Sequence, residues 1–144
     1  MDTVAYRLVD THCHLDVPEF AEDRPAVIRR ARAAGVCDQV IPAIRHADWD
    51  ALRTLCASEP GLHPAYGLHP LLLEEHQDAH IDALYRQLEA GDAVAVGECG
   101  LDYFVEGLDP QRQRHFFEAQ LVAARESDLP VIVHARRGWK KSPP

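Results

Sequence analysis

Short apolar runs recur along the chain at Leu8–Asp10, Gln39–Ile44, Ala65–Leu68, Ala93–Gly97 and Val131–His134. Their length and Val/Ile content suit strands buried on both faces of a parallel sheet, the third run least well. Between them, Arg24–Ala34, Asp48–Ser58, Ala79–Ala90 and Pro110–Ser127 carry the mixed apolar and polar spacing of helices. Asp48 is placed to cap the second helix, and Pro110 suits the first turn of the fourth. Gly35, Gly61 and Gly91 each follow a helical stretch, where a glycine favours termination.

Five strands alternating with four helices predict successive right-handed βαβ units. Each unit takes about thirty residues, and eight such units fill a closed barrel of roughly 250 residues. The expected fold is therefore α/β, a parallel sheet with helices forming the first five βα units of a TIM-type (β/α)8 barrel, left incomplete. A doubly wound sheet can be built from the same pattern, and periodicity does not choose between them. The absence of a GxGxxG turn after the first strand weighs against a dinucleotide-binding sheet. GLHP occurs at both Gly61 and Gly67, with no longer repeat.

Composition narrows the partners. Acidic residues outnumber basic ones, 23 to 15, for a net charge of −8. A protein that coats nucleic acid carries the opposite balance, because Lys and Arg replace counterions on phosphates. A metalloenzyme is compatible with it, since bound cations supply positive charge locally. Cys13, Cys37, Cys56 and Cys99 form no CxxC pair and read as free thiols. With no apolar run of membrane-spanning length and no signal-peptide pattern at the start, a soluble cytoplasmic protein is expected.

The sharpest chemical pattern is Asp10-Thr11-His12-Cys13-His14-Leu15-Asp16, at the end of the first apolar run. Alternating strand side chains put His12 and His14 on one side, where two imidazoles can grip one cation. Asp10 or Asp16 is placed to orient an imidazole. Two surface histidines beside a turn would give the same letters. Glu98 follows the fourth apolar run within Gly97-Glu98-Cys99-Gly100, where a carboxylate needs a cation, a hydrogen bond or a salt bridge. His134 ends the fifth run, either as a ligand or as a hydrogen-bonded core residue. Arg136, two residues on, suits a phosphate or a pairing with Glu98. His69, within Gly67-Leu68-His69-Pro70, falls at the same rim as a substrate contact, a support for the ligands, or a loop-shaping residue. His46, His63, His76, His80 and His115 show no pattern and read as solvated. Nitrogen and oxygen donors without thiolate suit Zn²⁺, Mn²⁺ or Mg²⁺.

These segments, in this order, resemble the TatD family of metal-dependent nucleases. The matching pieces are DTHCHLD, the GLHP turn at Gly67, VGECGLDY, QRHFFEAQLVAARE and LPVIVHAR, together spanning about Leu8 to Arg137. The resemblance implies an amidohydrolase-like barrel holding one or two divalent ions and hydrolysing DNA phosphodiesters, in several members as an exonuclease. It implies that His12 and His14 hold a first ion, that Glu98 bridges two, and that His134 holds the second. Two cations about 4 Å apart would clamp an in-line displacement and activate water. The family pattern continues with another histidine and then an aspartate, neither of which occurs after His134 here. The expectation is thus an N-terminal fragment, inactive by itself, that associates through open sheet edges. Another barrel hydrolase acting on an amide or lactone, and a non-catalytic gene remnant, are the competing readings; GECGLDY favours the nuclease family over the former.

The domain expected is 1–137, followed by a tail, 138–144, foreign to the family. Both lysines, Lys140 and Lys141, fall in Gly138-Trp139-Lys140-Lys141-Ser142-Pro143-Pro144, whereas every earlier basic position is arginine. Gly138 and the two terminal prolines oppose the helix that should follow. A shifted reading frame or an artificial junction is the expected cause, with a natural divergent terminus as the alternative. If both lysines are encoded by AAG and the serine by TCN, reading one base earlier turns Trp-Lys-Lys-Ser into apolar-Glu-Glu-Val, the opening of an amphipathic helix.

Overall fold

The computed structural model describes residues 6–138. The fold is a five-stranded, wholly parallel sheet in which β1 (Leu8–Asp10), β2 (Val36–Pro42), β3 (Leu62–Tyr66), β4 (Ala95–Asp102) and β5 (Val131–Arg136) lie in sequence order. A doubly wound sheet reverses its strand order at a switch point. Here the order never reverses, so the sheet is wound one way and curls as a half-barrel. The helices α1 (Arg24–Ala33), α2 (Trp49–Ser58), α3 (Asp78–Glu89) and α4 (Pro110–Glu126) fill the crossovers. The core is the seam between helices and sheet, where Ile28, Leu52, Leu84 and Phe116 meet Ile41, Leu62, Tyr66 and Val96.

Helix ends follow side-chain chemistry. Pro110 opens α4 as expected, and Asp109 accepts from the Gln111 and Arg112 amides, satisfying donors that the first turn leaves free. Asp48 does not cap α2 with its side chain; it accepts from Arg45 Nε at 2.7 Å instead. A charge-assisted pair has displaced the cap. His76 departs from the expectation of a solvated residue: it is 1% exposed, packs on Phe116 and donates from Nε2 to the His69 carbonyl at 2.7 Å.

The strands end differently from the apolar runs. β2 and β3 begin three residues earlier, at Val36 and Leu62, and β4 runs on to Asp102. Main-chain pairing needs no apolar side chain, so the β4–β5 ladder continues through Gly100↔His134 to Asp102↔Arg136. Among the described residues, no helix is long and apolar enough to cross a membrane. Of the expected tail 138–144, all but Gly138 lies outside the described residues.

Candidate metal centre

His12 and His14 leave β1 just past Asp10, whose carboxylate accepts the His12 amide and shapes the turn. Glu98 is not at the end of β4, as the apolar run implied, but inside it. Its position still opens to the carboxyl rim, because β3 pairs with β4 only up to Tyr66↔Val96. Its own amide donates to Ala43 O at the end of β2. The surrounding backbones are close. A Cβ on Gly67 would meet the Gly97 main chain, and one on Gly100, at φ +148°, would overlap the His134 carbonyl.

The four expected residues converge. Glu98 Oε2 lies 3.1 Å from His12 Nε2 and 3.1 Å from His14 Nε2, and those two nitrogens are 3.2 Å apart. Its other oxygen, Oε1, lies 3.3 Å from His134 Nδ1 and 3.5 Å from His69 Nε2. Burial pushes the Glu98 carboxyl up. Hydrogen bonds from His14 and His69, and the charges of His69 and His12, outweigh that and hold it well below the usual carboxylate range. His14 is pulled above its ordinary value, chiefly by its hydrogen bond to Glu98 and against its own burial. The cluster is therefore built around an ionised carboxylate only 5% exposed.

The donor set fits a divalent cation. Three donors held tetrahedrally at about 2.1 Å from zinc stand roughly 3.4 Å apart, close to the separations of the His12–His14–Glu98 triangle. The second oxygen makes the same point by hydrogen counting. His134 Nε2 meets the Asp102 carboxylate at 2.8 Å, which places the ring proton on Nε2. A neutral His134 then turns a lone pair, not a proton, toward Glu98 Oε1. Two acceptors at that distance call for a cation between them, either a metal ion or the second ring proton of a charged imidazole.

His69 differs. Its Nδ1 accepts the Leu71 amide at 3.1 Å, so in the neutral ring the proton sits on Nε2 and points at Glu98. Distance alone would group His69 with His134 as a ligand. The tautomer makes it a donor to Glu98 or to a substrate oxygen.

Arg136 does not pair with Glu98. Its Nε donates to Asp102 Oδ2 at 2.9 Å, the oxygen that also holds His134. Asp102 is fully buried, and its Oδ1 accepts the Phe104 and Val105 amides. Its main chain is clasped by Gln113 of α4, which accepts from its amide and donates to its carbonyl. Asp102 and Gln113 are the residues that sequence reasoning missed. Asp102 stood in the quoted GLDY segment, and its even spacing from Glu98 along an extended chain was the available signal.

The family profile described as TatD related DNase matches residues 9–142. The chain is 44% identical over 139 residues to a metal-dependent hydrolase, YjjV, of Escherichia coli (strain K12), covering 94% of this chain and 53% of that protein. It is 34% identical over 139 residues to the 3'-5' ssDNA/RNA exonuclease TatD of Erwinia tasmaniensis, covering 93% and 52%. The crystal structure of the Escherichia coli YjjV matches with a TM-score of 0.88 and 40% identity over 92% of this chain and 52% of that one. A TatD family hydrolase from Entamoeba histolytica, 22% identical with a TM-score of 0.82 over 95% and 52%, shares the fold. The chain spans about half the length of the relatives it matches. On the profile match and these identities, the chain belongs to the TatD family of metal-dependent hydrolases.

Proposed function

We propose that this chain carries the principal cation-binding half of a phosphodiesterase site, with DNA as the substrate and exonucleolytic cleavage as the reaction. His12, His14 and Glu98 would hold one divalent ion, and the other side of Glu98 with His134 would offer donors to a second. The observation that carries the reading is the two-faced placement of Glu98, one oxygen on the His12–His14 pair and the other facing His134. Relatives named as 3'-5' ssDNA/RNA exonucleases support the substrate class. All four cysteines are free, in keeping with a reducing cytoplasm.

When bound, the cations would supply Lewis-acid polarisation of a phosphate oxygen and lower the pKa of water. The chain's own residues do the positioning. Asp102 keeps the His134 proton on Nε2 and so leaves Nδ1 free to coordinate. His69 directs an Nε2 proton into the site, where it can hydrogen-bond a non-bridging phosphate oxygen. The Glu98 carboxylate, held ionised by its imidazole neighbours, supplies the negative charge that cations require.

Equilibrium dialysis of the purified chain against Mn²⁺ or Zn²⁺ tests this. Wild type should bind at least one ion. Glu98→Gln, which keeps the shape and removes the charge, should weaken binding by more than about a hundredfold, and Asp102→Ala by roughly ten- to a hundredfold. Unchanged affinity in Glu98→Gln would remove the site assignment.

A further inference from the structure

Beside the cation cluster the same rim carries an aromatic ring flanked by guanidinium groups. Phe104 is 49% exposed, and the Arg136 and Arg137 guanidinium carbons lie over its ring at 4.4 and 4.7 Å from the centroid. Exposed phenylalanine and two adjacent cations are each unfavourable alone. The arrangement persists because Asp102 organises it: one carboxylate oxygen holds the Phe104 and Val105 amides while the other holds Arg136 Nε. Tyr103 N donates to Arg136 O, so the ladder between β4 and β5 extends into the platform. Arg137 adopts φ +56°, a left-handed conformation uncommon outside glycine, and its side chain lies over the ring.

Arg136 uses only Nε on Asp102, which leaves its terminal N–H groups directed elsewhere. Among the described residues Arg137 has no carboxylate partner within ion-pair distance. These donors stand on a protein of net charge −8, whose field opposes the approach of any polyanion. They also stand one carboxylate away from the cation cluster, since Asp102 Oδ2 touches both Arg136 and His134.

We propose that Phe104, Arg136 and Arg137 form a subsite for the nucleotide flanking the scissile bond of a single strand. The flanking phosphate takes the terminal N–H groups of the two arginines, and the unpaired base packs on the exposed part of Phe104. Stacking on an aromatic ring is open only to an unpaired base, so the subsite selects single strands with little regard for sequence. Cation–π contact with the ring holds the guanidinium groups in place before substrate arrives. This subsite deepens the nuclease reading and rests on it.

Binding of a fluorescein-labelled single-stranded oligothymidylate to the full chain, followed by anisotropy in Ca²⁺ over a range of salt, provides the test. Arg137→Ala should lower the slope of log affinity against log salt by about 0.7, the share of one phosphate contact on a single strand. Phe104→Ala should weaken binding by roughly tenfold with the slope unchanged. Arg114→Ala, an exposed charge on α4, serves as the remote control and should leave the slope as in wild type. Arg137 and Arg114 are surface positions whose truncation leaves the core intact. If wild type binds and both platform variants match it in affinity and slope, the subsite is refuted while the nuclease reading stands. If wild type binds metal in dialysis but no oligonucleotide at any salt, the nucleic-acid reading itself fails and the subsite goes with it.

Discussion

At the scale of single residues, protonation separates the groups built for chemistry from those built for packing. Glu98, in the cluster, is kept charged despite burial, whereas the Cys56 thiol, away from it, is kept neutral by burial. Cys56 on α2 is pushed up from 9.0 to about 12, first by burial and then by the charges of Asp16, Asp92 and Cys13. Its folded-state value exceeds its unfolded one, so the native state holds a proton that the unfolded chain releases. The associated stability is fully present below about pH 9 and is lost as pH rises from there toward 12. The urea midpoint should therefore fall between pH 8.5 and about 10.5. That fall should be shallower in Cys56→Ala, where this group no longer titrates. Parallel declines in the two proteins would show that Cys56 does not contribute.

At the scale of elements, α4 does more than cover the sheet. Gln113, Phe116, Gln120 and Ala123 follow one another on a single face, and all are buried. Gln113 clasps the Asp102 main chain, and Gln120 accepts the Leu68 amide at 2.7 Å while donating to the Leu68 and Phe116 carbonyls. The helix thus fixes the loop carrying His69 and the strand end carrying Asp102. Gln120→Leu keeps the volume but strands the buried Leu68 amide and carbonyl, at about 1–3 kcal/mol for each group left without a partner. We expect a stability loss of roughly 2–4 kcal/mol in urea denaturation; a change within ±0.5 kcal/mol, ordinary for a surface position, would show the clamp to be dispensable. The element pattern itself was legible from apolar spacing, because buried parallel strands and amphipathic helices have distinct periods. So was the convergence of His12, His14, Glu98 and His134, since each follows an apolar run on the same side of the sheet. The polar clamps were not, because a glutamine reads as a surface residue in any hydrophobicity pattern. The extent of β4 was missed for a related reason, its last residues being paired through main-chain groups while Glu98, Gly100 and Asp102 interrupt the apolar pattern. Asp48 misled because the choice between a cap and an arginine partner depends on where Arg45 lies in space.

At the scale of the whole molecule, the half-barrel leaves two strand edges and an apolar face open among the described residues. β1 pairs only with β2, and β5 only with β4. Leu8 and Val9 on β1 are 50% and 58% exposed, and Val133 on β5 is 51% exposed. Beside Val133, a hollow of about 220 Å³ is walled by Leu101, Phe117, Ala135 and His134. Exposed strand edges flanked by apolar side chains template pairing with another chain. The relatives are about twice as long, and the parts of them outside the match are free to supply what these edges lack. Two consequences follow for the 144-residue chain. It should self-associate in sedimentation velocity, and Val133→Lys, which puts a charge on the open edge, should shift the distribution toward monomer. It should also show little nuclease activity on single-stranded DNA with Mn²⁺, because His134 and Glu98 alone give a second cation only two donors. The two expectations separate cleanly. A monodisperse monomer would show that the edges are protected in solution. Turnover at about 1 s⁻¹ or faster, the ordinary enzyme range, lost in Glu98→Gln, would show that this half of the barrel assembles a working site without the rest.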